Sequence, residues 1–126
     1  MLAGMPEFVA PEVVNGEGVS TAADMWSVGI LTYLLLSGRS LFRGEHDRET
    51  LTKIREGKWE FDEDLFSHYS ADARDFIKRL LVYHWGGRMN VTDALNHPWF
   101  NILATTPYEP YKHSSDPLKN YYNSFK

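Results

Sequence analysis

The stretch TAADMWSVGILTYLLLSG, residues 21–38, decides how the rest of the chain is read. Ser20 or Thr21 can cap a helix at its start, because a side-chain oxygen there accepts one of the unpaired N–H groups of the first turn. Gly38 suits the left-handed residue that ends a helix. Between them the apolar residues cover nearly every face, so the helix is predicted to be surrounded by protein and not half exposed. The apolar run from Met25 to Leu36 is shorter than the roughly 18–20 residues that span a bilayer. It therefore reads as a buried core helix.

Working outward, helical signals continue and strand alternation does not appear. Downstream, RSLFRGEHD reads as a loop, and Asp47 is placed to cap a helix with Leu51 and Ile54 on its buried face and Gly57 at its end. KWEFDEDLFSHY reads as irregular, anchored by Trp59, Phe61, Leu65 and Phe66. Ser70 opens a helix whose Phe76, Ile77, Leu80 and Leu81 form one stripe, with Gly86 and Gly87 as its breakers. Asn90 followed by Asp93 resembles a capping box for a short helix through Ala94 and Leu95. After Phe100 the texture turns to Pro, Ser and Thr, as in a linker or tail. Asp116-Pro117 then begins a last helix with Leu118, Tyr121, Tyr122 and Phe125 on one face. Upstream, residues 1–18 read as an extended loop with one short turn near Pro11.

Composition narrows the chemistry. With 126 residues, 43% hydrophobic and 14% aromatic, the chain can build a core. Thirteen basic residues against seventeen acidic ones give a net charge of −4. No Lys/Arg cluster stands out, which argues against nucleic-acid binding and against a basic membrane patch. Zero cysteines exclude disulfides, thiol nucleophiles and thiolate metal sites. Residues 1–15 lack the basic and apolar regions of a signal peptide. The five histidines, at 46, 68, 84, 97 and 113, form no metal-ligand pair and read as surface or packing residues. Asp62, Glu63 and Asp64 lie in an acidic stretch without an apolar pocket, so they read as solvated and not as an acid–base pair. There is no GxSxG elbow and no glycine-rich phosphate loop. The residues themselves show no catalytic constellation and no metal site.

The order of landmarks carries more. PEFVAPE at 6–12, DMWSVG at 24–29, SGRSLFRG at 37–44, Arg88 and HPWF at 97–100 together resemble the C-terminal lobe of eukaryotic protein kinases over roughly residues 2–101. Within that family the wording is similar to the calmodulin-dependent group, and most like the giant muscle kinases of the titin, twitchin and obscurin type. The resemblance implies a mainly α fold: the helical C-lobe of a kinase domain, without the N-lobe sheet, followed by a tail helix. It divides the chain into a partial kinase domain, 1–101, and a linker and regulatory tail, 102–126.

Residue roles follow from the resemblance. Gly4, Met5, Pro6, Glu7 and Phe8 match the loop that receives a protein substrate next to the phosphoacceptor. Glu12, of the APE motif, is expected to pair with Arg88. Asp24 would hold the backbone of a catalytic loop, and without that loop it would be a buried acceptor lacking donors. Trp26 and Trp99 are expected to pack. Kinases of this kind usually have Thr where Met5 stands, and Met has no hydroxyl to align a catalytic loop. Leu41 replaces a usual Pro. The glycine-rich loop, the strand Lys, the HRD loop and the DFG metal ligand all lie upstream of APE in kinases, and none is in this chain. ATP and Mg²⁺ are therefore implied only for a complete parent domain, no residue here is assigned as catalytic, and the chain alone is expected to be inactive.

Two readings stay open: the back half of a serine/threonine kinase domain, or a pseudokinase lobe that scaffolds sarcomeric partners. Both place the chain in the cytoplasm, at the myofibril in muscle, and both leave it without the kinase N-lobe. Lys119 and Lys126 are the only cations of the final stripe, which argues against a calmodulin target. An apolar helix deprived of its covering helices is also expected to bind hydrophobic dye and self-associate.

Overall fold

The computed structural model describes residues 5–105 and Tyr121. Among these residues every regular element is helical. A 3₁₀ turn at Pro6–Phe8 leads into α1 (Pro11–Val14), and α2 (Thr21–Ser37) follows. Next come α3 (Asp47–Glu56), α4 (Glu63–Phe66) and α5 (Ala71–Leu80). A 3₁₀ turn at Trp85–Gly87, α6 (Val91–Leu95) and α7 (Pro98–Thr105) complete the series.

The central helix forms as its ends dictate. Ser20 Oγ accepts the Ala23 N–H, and Gly38 closes α2 in the left-handed region at φ 75°. Ala23, Met25, Trp26, Gly29, Ile30, Tyr33, Leu34 and Ser37 of α2 are buried. Helix α5 lies against it through the stripe of Phe76, Ile77, Leu80 and Leu81, all buried. The two helices approach closely at Gly29, where a Cβ would sit 2.7 Å from Leu81 Cδ2 and 2.9 Å from Leu80 Cβ. One core gathers Trp26, Ile30, Tyr33, Phe42, Ile54, Phe66 and Ile77 around α2, while a smaller one joins Met25, Phe76, Leu80, Met89 and Ala94 with Trp99 packed on it. Burying aromatic and aliphatic side chains of this size contributes about 1.5–3 kcal/mol each.

Several boundaries differ from those expected. Helix α3 begins at Asp47, but its cap is His46, whose Nδ1 accepts the Glu49 N–H at 3.2 Å. The stretch after Trp59 is not wholly irregular: Asp62 Oδ1 accepts the Asp64 N–H and starts the single turn of α4. Helix α5 ends at Leu80, ahead of the Gly86-Gly87 pair. Its terminus is set by Leu81 leaving helical geometry at ψ 41°, which keeps that side chain in the core. In the loop at the start of the chain the turn expected near Pro11 is α1, and a 3₁₀ turn at Pro6–Phe8, which was not expected, precedes it. Helix α7 continues through Thr105, past the point where the sequence turns polar. The expected last helix from Asp116-Pro117 lies outside the described residues apart from Tyr121, as does Gly4.

Candidate functional site

The segment from Met5 to Val14 is held against the helical body from three sides. Pro at the first helical position presets φ for the start of α1, with Ala10 extended before it. Glu12 in that first turn reaches a residue distant in sequence: Arg88 Nη1 donates to Glu12 Oε2 at 2.7 Å, and Arg88 Nη2 to Oε1 at 2.9 Å. The side chains are 0% and 6% exposed respectively. The remaining donors of Arg88 are also used. Its Nε donates to Val82 O at 2.9 Å, Nη1 to Ala22 O at 2.9 Å and Nη2 to Tyr83 O at 2.9 Å. A guanidinium has five N–H groups in a planar fork, and here each has an acceptor. Its Cζ lies 5.1 Å from the centre of the Trp26 ring, which covers one face of the cation. Burial pushes the Glu12 carboxyl up, but the Arg88 hydrogen bonds and charge outweigh it, so the group sits below its ordinary value of 4.5.

The second tie comes from α2. Ser27 Oγ donates to Phe8 O at 2.7 Å. Phe8 itself is buried in the main core, and Met5 packs against that core. The third tie is made by Tyr121, whose hydroxyl donates to Glu7 Oε1 at 2.5 Å. Glu7 is only 5% exposed, so this contact meets a buried carboxylate. The phenol is pushed up to about 12 by its burial and by the Glu7 carboxylate accepting its proton.

The structure thus brings Met5, Pro6, Glu7, Phe8, Glu12, Trp26 and Arg88 into one continuous assembly. Trp26 is fully buried and stacks on Phe42 with ring centres 5.8 Å apart, while its indole N–H has no acceptor among the described residues. Asp24 differs from expectation. It is exposed in the first turn of α2, so its carboxylate is solvated and carries no burial cost. Sequence reasoning gave Ser27 no role of its own and read His97 only as a surface or packing residue within the HPWF landmark. Ser27 was legible only as part of a helix motif; its partner is a backbone carbonyl, which no side-chain pattern reveals. His97 is buried, accepts the Trp99 N–H at Nδ1, and so presents an N–H at Nε2 to Asp75 Oδ2 at 2.8 Å. That contact and the neighbouring Arg79 hold the Asp75 carboxyl below its ordinary value. The acidic stretch is partly paired: Glu63 bonds Arg74, and Arg74 also lies over the Phe61 ring.

Among the described residues no three His, Asp or Glu side chains gather to hold a metal ion. No helix there is long and apolar enough to cross a membrane. What the assembly can do is fix the conformation of the segment from Met5 to Val14.

Comparison with known proteins gives the same frame. The protein kinase domain family matches residues 1–100. The chain is 50% identical over 101 residues to myosin light chain kinase 2, skeletal/cardiac muscle, of Oryctolagus cuniculus, covering 80% of this chain and 17% of that protein. Among solved structures it matches the twitchin kinase region from C. elegans at 43% identity and a TM-score of 0.79, covering 97% of this chain and 21% of that one. It also matches the autoinhibited serine kinase domain of the giant muscle protein titin at 38% identity and a TM-score of 0.79, covering 94% and 37%. The chain spans a minor part of each relative, and that part is the helical lobe. The protein therefore belongs to the protein kinase family, and its helices are those of the kinase C-lobe in its muscle-kinase branch.

Proposed function

We propose that this chain supplies the substrate-receiving side of a serine/threonine protein kinase domain. Gly4, Met5, Pro6, Glu7 and Phe8 form the loop that accepts a protein substrate, and Glu12 with Arg88 fixes that loop on the lobe. The observation that carries this reading is the buried two-bond pair between Glu12 and Arg88, which locks the acceptance segment to the chain just after the 3₁₀ turn Trp85–Gly87. Phosphoryl transfer depends on positioning and charge placement more than on covalent chemistry by the protein, so a rigid receiving loop is a functional part in itself. The nucleotide and Mg²⁺ would be held by kinase segments outside this chain, and no step is assigned to residues here. The chain alone transfers no phosphoryl group.

A second reading, a non-catalytic lobe that scaffolds sarcomeric partners, rests on Met5. Its side chain packs against the core and offers no hydroxyl where kinases of this group have one. A chimera separates the two. The N-terminal part of the kinase domain of the rabbit myosin light chain kinase relative is joined to this chain, and phosphorylation of a peptide substrate is measured. Activity that rises with Met5→Thr and falls with Glu12→Gln is expected. A folded chimera inactive both as it stands and with Met5→Thr would favour the scaffold.

A further inference from the structure

The loop that precedes Arg88 turns aromatic side chains outward, and that reading gives them no role. The chain has four tryptophans. Trp26, Trp59 and Trp99 pack on the two cores. Trp85 belongs to neither: it is 52% exposed, and Tyr83, two residues before it, is 44% exposed. We propose that Tyr83, His84 and Trp85 form a docking platform for a proline-rich segment of a partner protein in polyproline II conformation. Such a surface would work whether or not the parent domain transfers phosphoryl groups.

Three observations point to this partner. First, the platform is held in place before anything binds. Arg88 donates to Val82 O and to Tyr83 O, each at 2.9 Å. The Gly87 N–H donates to His84 O at 3.1 Å, and the Gly86 N–H to His84 Nδ1 at 3.1 Å. The Tyr83 hydroxyl donates to Arg55 O at 2.6 Å, and its ring fills the space that a Cβ on Gly57 would need. Side chains already placed lose little freedom on binding. Second, the exposed surface is ring. His84 stacks on Trp85 with ring centres 5.6 Å apart and planes 20° from parallel. Flat aromatic surface is what proline rings pack on.

Third, the polar groups left over on these rings are donors. His84 Nδ1 already accepts a hydrogen bond, so the neutral ring carries its proton on Nε2. That N–H and the indole N–H of Trp85 have no hydrogen-bond acceptor among the described residues. Residues 82–87 include no Asp, Glu, Lys or Arg. A matching partner is therefore uncharged and rich in acceptors. A helix spends its carbonyls on itself, and a strand brings N–H groups along with its carbonyls. A polyproline II segment has no internal hydrogen bonds, so its carbonyls are free. Its prolines have no N–H to leave unpaired.

Two-dimensional NMR of the isotope-labelled full chain reads the indole N–H signals, and Trp85→Phe identifies the one from Trp85. A synthetic oligoproline peptide is titrated in at fixed protein concentration. The Trp85 signal is expected to shift saturably while those of Trp26, Trp59 and Trp99 stay in place. By calorimetry Trp85→Ala should weaken binding about tenfold or more, the weight of an aromatic anchor. Trp85→Phe keeps a ring without the N–H and should weaken it about threefold, the weight of one neutral hydrogen bond. Circular dichroism melts confirm that each variant is folded. Added salt should leave the affinity unchanged, because no ion pair forms. An unmoved Trp85 signal would overturn the proposal. So would equal affinity of the folded Trp85→Ala variant, equal affinity for a glycine–serine peptide of the same length, or affinity that collapses with salt. A Trp85 signal that shifts with protein concentration alone would make a second copy of the chain the occupant, and would overturn it too.

Discussion

Arg88 uses all five of its N–H donors, and two of them go to one carboxylate. Replacing it removes the counter-charge of a buried Glu12 and strands three backbone carbonyls. Arg88→Ala is expected to cost about 3–5 kcal/mol, read as a lower urea midpoint, because a buried charge is left unpaired. The pair also sets a pH dependence. The folded-state value of Glu12 is depressed, so its stabilisation is present above the ordinary 4.5 and is lost as pH falls below it. Melting temperature should therefore fall on acidification through that range, and Glu12→Gln should flatten the fall. Tyr121 behaves oppositely. Its raised value means the docked phenol keeps its proton, and its contribution is complete below pH 10 and lost as pH rises through about 12. A tyrosinate absorbance titration should show a late step that Tyr121→Phe removes. The Glu12–Arg88 pair was legible in the sequence because motif order named both partners. The exposure of Asp24 was not, since a motif gives a residue's place on a helix and not what surrounds it.

Helix ends were legible where a Ser, an Asn or a glycine does the capping. Ser20, Ser70 and Asn90 each accept an N–H three residues on, and Gly38 and Gly57 both stand at positive φ. Ser70→Ala should cost α5 about 1 kcal/mol in a thermal or urea melt, the usual weight of an N-cap. The misplaced ends have physical reasons. His46 is rarely considered as a cap, yet its neutral Nδ1 accepts an N–H as an Asn side chain does. Leu81 leaves the helix because its side chain is needed in the core and its carbonyl is taken by the Trp59 indole N–H at 3.2 Å. Such long-range demands leave no local trace in the chain. Element packing also makes a sharp demand at Gly29, where α2 meets α5. Gly29→Ala forces a Cβ onto Leu80, whose own Cβ cannot move without its backbone, and should destabilise by about 1–3 kcal/mol. An unchanged melt would mean that the two helices are not so close.

At the scale of the molecule, α2 is more than the core of these helices. Val28, Leu31 and Leu35 are spaced along one side of it and are 40%, 38% and 43% exposed. The expected all-round apolar character is therefore present, with one face left uncovered by the described residues. The isolated chain should bind a hydrophobic dye and sediment faster than a monomer, and Leu31→Glu with Leu35→Glu should reduce both. A dye-silent monomer would contradict this. Fold class was legible from ordered landmarks because they mark the joints of the lobe. The tie from Tyr121 to Glu7 was not, because nothing in a short apolar stripe says which surface it meets. The central claim is that Glu12 and Arg88 act as one unit fastening the acceptance segment to the lobe. A double-mutant cycle on the full chain, with Glu12→Gln, Arg88→Met and both together, measures it directly by urea unfolding. A coupling energy on the order of 2 kcal/mol is expected for residues that share one buried network. Single-variant losses that add to within about 0.5 kcal/mol would show two independent side chains and contradict it.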